Sequence, residues 1–266
     1  MRPGVAPLSA RSPRVVAARR LQRRRNRDQT GRFLVEGPQA VREAAGHVVE
    51  LFGTAEALRT HADAVSAAGD APVWTVTEPA LAVLAETVHP QGLVAVCRHL
   101  DVPLAHAVAS KHGLVAVLCE VRDPGNAGTV LRTADAAGAG AVVFAGDAVD
   151  PYNGKAVRAS AGSLFHVDVV RAPDPLVAVA ELRSAGYTVL AADGYGPVAL
   201  PEAPLRPPTA WLFGSEAHGL PPGVADAADA RVRVPIHGRA ESLNLAAAAA
   251  VCLYASAAAN RETGHA

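Results

Sequence analysis

Asn126 and Arg132 lie six residues apart in Asp123-Pro-Gly-Asn-Ala-Gly-Thr-Val-Leu-Arg132, where turn chemistry runs into a helix start. Glu216 sits in Leu212-Phe-Gly-Ser-Glu-Ala-His-Gly-Leu-Pro221, an apolar strand that breaks into a glycine loop. Glu241, Ser242 and Asn244 arrive on Val234-Pro-Ile-His-Gly-Arg-Ala-Glu-Ser-Leu-Asn-Leu245, at the mouth of a long apolar helix. Amides, carboxylates, a hydroxyl and a guanidinium orient a ligand and stabilise charge. Each also has an ordinary use: Asn126 and Ser242 as helix N-caps, Arg132 as a solvated helical charge, Gly214 and Gly219 as turn residues. The chain has no GxxxxGK[ST] phosphate loop and no HExxH or other histidine ligand spacing, so no metal is read from it. Gly138-Ala-Gly140 lacks the third glycine of a dinucleotide turn and reads as a helix C-cap.

The elements that must position these residues follow from periodicity. A short β segment at Val232 and Val234 stops at Pro235, which has no N–H for a continuing ladder. Ser242 reads as the N-cap of a helix from Leu245 to about Ala259, apolar on nearly every face and so buried. Upstream, strands are expected at 114–119, 141–144, 166–169, 187–191, 209–213 and 231–234. Helices are expected at 127–137, 153–161 and 175–185, with a Pro-rich loop at 197–208 and a short helix near 221–227. Strands separated by such helices imply a parallel sheet covered on both faces.

The three motifs, in this order and spacing, resemble those of the SpoU family of RNA ribose 2′-O-methyltransferases, part of the SPOUT superfamily. The resemblance covers roughly residues 112–260 well and 12–97 more loosely. It implies an α/β fold: a C-terminal parallel-sheet domain with a deep trefoil knot, preceded by a small α/β RNA-binding domain. Asn126, Arg132, Glu216, Ser242 and Asn244 match the family's catalytic residues. Leu212, Phe213, Gly214, Gly219, Val234, Ile236 and Leu243 would hold S-adenosyl-L-methionine, the last three through main-chain groups. A free guanidinium does not give up its proton, so Arg132 is read as holding RNA phosphate and stabilising a developing alkoxide. Ala217 stands where many relatives have glycine. Tyr152-Asn-Gly-Lys-Ala-Val-Arg-Ala-Ser-Ala-Gly-Ser-Leu-Phe165 is also similar to the family, and Lys155 and Arg158 could bind phosphate from one helix face.

Net charge is zero, yet residues 1–32 hold ten arginines and one acid, net +9, leaving fifteen bases and twenty-four acids beyond them. Such a block calls for a polyanionic partner, with Arg19, Arg20, Arg23, Arg24, Arg25 and Arg27 as its RNA contacts. A tail over 1–11 is read as disordered. Ser12-Pro13 opens a helix to about Arg25 with Val15, Val16 and Leu21 apolar, and Gly31 ends the basic segment. Strand 33–35, a helix from Glu36-Gly-Pro to about Ala45, strand 48–52, helix 54–67, strand 72–76, helix 78–86 and strand 92–97 follow. This resembles the ribosomal-protein-like RNA-binding domain of many SpoU enzymes, through the basic helix, Arg32-Phe-Leu-Val-Glu-Gly37 and His89-Pro-Gln-Gly-Leu93. The expected domains are 12–98 for RNA binding, a linker at 99–112, and 113–262 for methyl transfer.

No window is apolar and long enough to span a bilayer, and the N-terminus lacks a secretory h-region. Cys97, Cys119 and Cys252, scattered without CxxC spacing, read as core residues of a cytoplasmic protein. The expected activity is methyl transfer to a ribose 2′-hydroxyl of structured RNA, 23S ribosomal RNA first, by a homodimer joined through the C-terminal domain. A transfer-RNA enzyme and a non-catalytic RNA-binding protein of the same fold are the alternatives.

Overall fold

The computed structural model describes residues 6–110, 112–206 and 208–263. The chain divides into two compact units: residues 1–99 with 152–165, and residues 100–151 with 166–266.

The first unit is built on a four-stranded sheet. Its basic segment forms α1 (Pro13–Arg20) and α2 (Arg24–Thr30), closed by Gly31 in the left-handed region at φ 62°. Then come β1 (Arg32–Glu36), α3 (Pro38–Glu43) and β2 (Val48–Gly53). They are followed by α4 (Ala55–Thr60), α5 (Ala62–Ala67), β3 (Val73–Thr75), α6 (Glu78–Leu84) and β4 (Leu93–Arg98). The strand order is β1-β4-β2-β3, with β4 antiparallel to both its neighbours and β3 parallel to β2. Val15, Ala18 and Leu21 of the basic segment bury against α6 and the sheet, packing with Leu81, Leu84 and Val94.

Three readings of this region change. The helix expected to run to Arg25 stops at Arg20, because side chains of α2 take its last carbonyls. Asn26 Nδ2 donates to Arg20 O at 2.8 Å, and Arg27 Nη1 donates to Leu21 O and Gln22 O at 2.9 Å each. Ser12 makes no cap bond into α1, and Val16 is exposed. The helix expected over 54–67 breaks at His61, where φ −111° and ψ 50° leave the helical region with no proline or glycine to signal it. Of the tail expected to be disordered, residues 1–5 lie outside the described residues, while Leu8 pairs with Val76 and donates its N–H to Thr75 O at 2.8 Å.

The second unit opens inside the expected linker. There α7 (Leu104–Ala109) buries Ala107 in the core of this unit. Next come β5 (Leu114–Cys119), α8 (Pro124–Ala136) and β6 (Ala141–Ala145). After the excursion of 152–165, it continues with β7 (Asp168–Ala172), α10 (Pro175–Ser184) and β8 (Thr188–Ala192). It ends with β9 (Val198–Ala199), β10 (Thr209–Phe213), β11 (Ala230–Arg233) and α11 (Leu245–Thr263). All seven strands are parallel, in the order β7-β6-β5-β10-β8-β11-β9. On one face Val115, Val117, Ala210 and Leu212 pack with Val179 and Leu182 of α10. On the other, α11 packs on α8, β5 and β10.

Two loops differ from expectation. The Pro-rich stretch 197–208 carries the edge strand β9 and a 3-10 turn, Leu200–Glu202. The short helix near 221–227 is a series of turns, since Pro221-Pro222 cannot supply two of its donors and Gly223 lies at φ 79°.

The excursion carries α9 (Gly154–Ser160) into the first unit. Tyr152 stacks on His99, ring centroids 4.0 Å apart, and lies tilted by 39° against Phe33 at 4.6 Å. Such ring pairs add about 0.5–1.5 kcal/mol beyond the area they bury.

Arg27 is 3% exposed and serves the fold rather than the surface. Arg27→Ala should therefore lower the stability of the first unit by roughly 2 kcal/mol or more, the scale of bonds to a charged donor. Arg24→Ala should stay within about 0.5 kcal/mol, as surface changes do. Urea unfolding followed by Trp74 fluorescence reads both.

Candidate active site at the carboxyl edge of the parallel sheet

The loops leaving β8, β10 and β11 border a cleft of about 710 Å³. Its volume falls in the range of small-molecule and cofactor sites. Phe213, Gly214, Gly219, Val234, Ile236 and Leu243 all line it. Leu212 does not: strand alternation turns its side chain to the α10 face, where it is buried in the core. Ile236 and Leu243 leave about 40% of their surface open, 39% and 41%, which gives the cleft an apolar wall suited to a flat ring.

Gly214 has a more local reason than ligand approach. A Cβ there would lie 2.1 Å from the Gly219 carbonyl carbon, because Ser215 and Gly219 exchange backbone hydrogen bonds of 2.9 Å. Gly219 itself needs the left-handed region, at φ 68°. This tight loop projects Glu216 from the end of β10 and closes around Ala217.

The three motifs meet through side-chain amides. Asp123 caps α8 by accepting from Asn126 N at 2.7 Å, so Asn126 is not the cap and its amide is free for other partners. Asn126 Nδ2 donates to Glu216 Oε1, and Asn126 Oδ1 accepts from Asn244 Nδ2 at 3.2 Å. Asn244, not Ser242, caps α11: its Oδ1 accepts from Ala246 N at 2.9 Å and Ala247 N at 3.4 Å. Ser242 stays exposed on the cleft wall beside Glu241. α11 is in turn anchored by a buried bond from Trp211 Nε1 to Ser256 Oγ at 2.9 Å. It is not buried all round, since Val251 and Tyr254 are exposed.

Arg132 lies on α8, exposed, without a hydrogen bond or ion pair to any described residue. It does not line the cleft, nor does Asn126. Arg19, Arg20, Arg23, Arg24 and Arg25 are exposed, with Arg24 3.7 Å from Asp28. Arg27 leaves the expected RNA-binding set, because its guanidinium is buried on backbone carbonyls. Arg158 leaves it too: Nη1 lies 3.0 Å from Glu86 and 3.8 Å from Glu36 within the first unit. Lys155 is exposed on the same helix.

Sequence reading missed Asp193 and Gly194, which line the cleft from the loop after β8. The Asp-Gly-Tyr-Gly turn pattern there was the available signal. It also missed Glu120, a non-glycine residue at φ 54° between β5 and the first motif, a conformation costing about 1–2 kcal/mol. Among the described residues no group of three His, Cys, Asp or Glu side chains could hold a metal, and no helix is long and apolar enough to cross a membrane.

Residues 113–254 match the model of the SpoU rRNA Methylase family. The chain belongs to that family. Residues 12–95 match an MRM3-like substrate binding domain. Among relatives, the 23S rRNA (guanosine(2553)-2′-O)-methyltransferase RlmP of Bacillus subtilis is 35% identical, over 92% of this chain and 96% of that protein. Among solved structures, the AdoMet-bound rRNA methyltransferase of Sinorhizobium meliloti superposes with a TM-score of 0.82 at 33% identity, covering 92% of this chain and 94% of that one. The SpoU methyltransferase AviRb of Streptomyces viridochromogenes, in complex with AdoMet, gives 0.82 at 29% identity, covering 93% and 98%. The fold is therefore that of the SPOUT methyltransferases.

Asn244→Ala should cost about 1 kcal/mol or more, the worth of an N-cap, whereas Ser242→Ala should stay within about 0.5 kcal/mol. Urea unfolding followed by the fluorescence of Trp211, which bonds Ser256 on the same helix, distinguishes the two.

Proposed function

We propose that this protein transfers a methyl group from S-adenosyl-L-methionine to a ribose 2′-hydroxyl of structured RNA, with 23S ribosomal RNA as the substrate. The observation that carries the reading is the bond chain Asn244–Asn126–Glu216, which joins all three motifs at the edge of the cleft. The residues suit the cofactor: open apolar side chains at Ile236 and Leu243 flank main-chain segments that can hydrogen-bond an adenine edge. When bound, the cofactor supplies an electrophilic methyl on its sulfonium. The substrate is supported by the names of RlmP and the Sinorhizobium meliloti enzyme as rRNA methyltransferases.

The chain's own residues then divide the work. The Asn126 amide carries two N–H groups and spends one on Glu216, leaving one to orient the ribose hydroxyl. Arg132 keeps its proton; its open guanidinium holds a phosphate and offsets the negative charge that grows on the 2′-oxygen. Glu216 and Asn244 hold the geometry, and Ser242 presents its hydroxyl on the cleft wall. RNA is gathered by Arg19, Arg20, Arg23, Arg24 and Arg25, with Lys155 alongside in the same unit.

A homodimer formed through the C-terminal domain belongs to this proposal, supported by Val251 and Tyr254, 41% and 53% exposed on one face of α11. So does the trefoil knot that the family resemblance implies. A cytoplasmic setting is supported by three unpaired, buried cysteines, whose thiols burial pushes up to about 12.

The test is twofold. Calorimetry without metal should show the cofactor binding and raising the melting temperature by mass action. Tritiated methyl transfer to deproteinised 23S rRNA fragments should label one ribose that mapping can place. No cofactor binding at millimolar concentration removes the enzyme reading.

Arg132→Ala should lower turnover at least about a hundredfold, the scale of one lost electrostatic partner in a transition state, with cofactor affinity little changed. Substantial rescue in Arg132→Lys would point to charge alone, and none to the planar fork. Wild-type turnover in Arg132→Ala at saturating RNA would return Arg132 to the solvated surface.

A further inference from the structure

Tyr195 is 94% exposed, while Tyr152 and Tyr187 are buried at 1% and 3%. It follows Asp193 and Gly194, two residues that line the cleft from the loop after β8. An exposed ring on a loose loop would call for no explanation, but this loop is tightly held. Tyr195 N donates to Asp193 Oδ1 and Gly196 N to Asp193 O, both at 2.9 Å. Asp193 N donates to Val232 O at 2.9 Å, and Arg231 grips Asp193 Oδ2 through Nε at 2.8 Å and Nη2 at 2.7 Å. Arg233 Nη1 donates to Gly196 O at 2.8 Å and Pro197 O at 2.6 Å. At Gly196 the loop lies directly on β11, where a Cβ would come within 2.6 Å of Arg231 O.

Two guanidiniums are thus spent on fixing the backbone of a turn whose one large side chain points into solvent. Burial gains nothing from that ring, so burying it does not explain why the turn is held so firmly. With Tyr195 94% exposed between Gly194 and Gly196, both faces of its ring are open. A solitary π surface carried on a fixed backbone fits another flat ring. Proteins hold unpaired RNA bases by stacking them on such aromatic side chains, whatever the base.

We propose that Tyr195 is the platform on which a nucleobase of the substrate RNA stacks as its ribose enters the cleft. The inference rests on the RNA methyltransferase reading of that cleft. Asp193, already neutralised by Arg231, does not repel the approaching phosphates, and Ile236 and Leu243 leave the cofactor ring its own wall.

The test uses full-length wild type, Tyr195→Ala and Tyr195→Phe with the 23S rRNA fragment that wild type methylates. Tyr195→Ala should raise KM for RNA at least about fivefold, the lower end for one lost base–aromatic stack. Its turnover at saturating RNA and its S-adenosyl-L-methionine affinity should be unchanged, and Tyr195→Phe, which keeps the ring, should retain wild-type KM. An unchanged KM in Tyr195→Ala overturns the proposal. So does weakened cofactor binding without RNA, which would make the ring part of the cofactor site. A changed sedimentation mass would assign the ring to contact between copies, and also overturns it. Wild type that methylates no RNA overturns both this inference and the reading beneath it, whereas wild-type activity with an indifferent Tyr195→Ala overturns this inference alone.

Discussion

The Asn244 side chain performs two tasks with one amide. Its carbonyl oxygen caps α11, and its amino group reaches Asn126. The first task fixes the rotamer that the second needs, so the site is only as rigid as the seating of the helix. That seating comes from the buried Trp211–Ser256 bond and from packing against α8, which carries Asn126. Glu216 closes the chain from a loop pinned by the Ser215–Gly219 bridge. Segments 90 and 118 residues apart are thereby held by side-chain amides. Groups ordered in advance cost no reorganisation when charge develops beside them, which is where electrostatic catalysis gains most.

Arginine illustrates how one residue type serves opposed ends. Arg27, Arg158, Arg231 and Arg233 are committed to carbonyls or carboxylates within their own units. Removing Arg27, the buried one, leaves its carbonyl partners without a donor, a penalty larger than the net worth of the bond itself. Arg132 makes no such commitment to any described residue, so its five donors stay open. Arg19, Arg20, Arg23 and Arg25 stand exposed close together in sequence, which costs stability by mutual repulsion and suits a polyanion. A count of positive charge in residues 1–32 cannot separate these roles. The separating variable is whether carbonyls or carboxylates of the same unit lie alongside the guanidinium.

The parallel sheet sets where a ligand can lie. Alternation along β10 sends Leu212 to the α10 face and Phe213 toward the cleft, so adjacent residues of one motif part company. The strand ends then release three loops on the same edge, the usual place for ligands in open parallel sheets. The loop after β8 joins them, and its Asp-Gly-Tyr-Gly pattern announces a turn without saying that the turn faces the cleft. It is held on the same edge because it lies next to β11.

The residue pattern alone was enough for the alternation of strands and helices, the parallel sheet, the basic N-terminal segment and the three motifs. Burial periodicity, turn chemistry and proline placement are local properties, written within a few residues. What depended on distant partners was not legible. The helix break at His61 carries no local signal, and α1 ends early because Asn26 and Arg27 take its carbonyls. Ser242 and Asn244 are both good capping residues, and only the docked position of α11 against Asn126 selects Asn244. Arg158 reads as a phosphate ligand until Glu36 and Glu86, 122 and 72 residues away, come alongside it. A side chain's role is set by the electrostatic and steric field around it, and that field exists only once remote segments have packed.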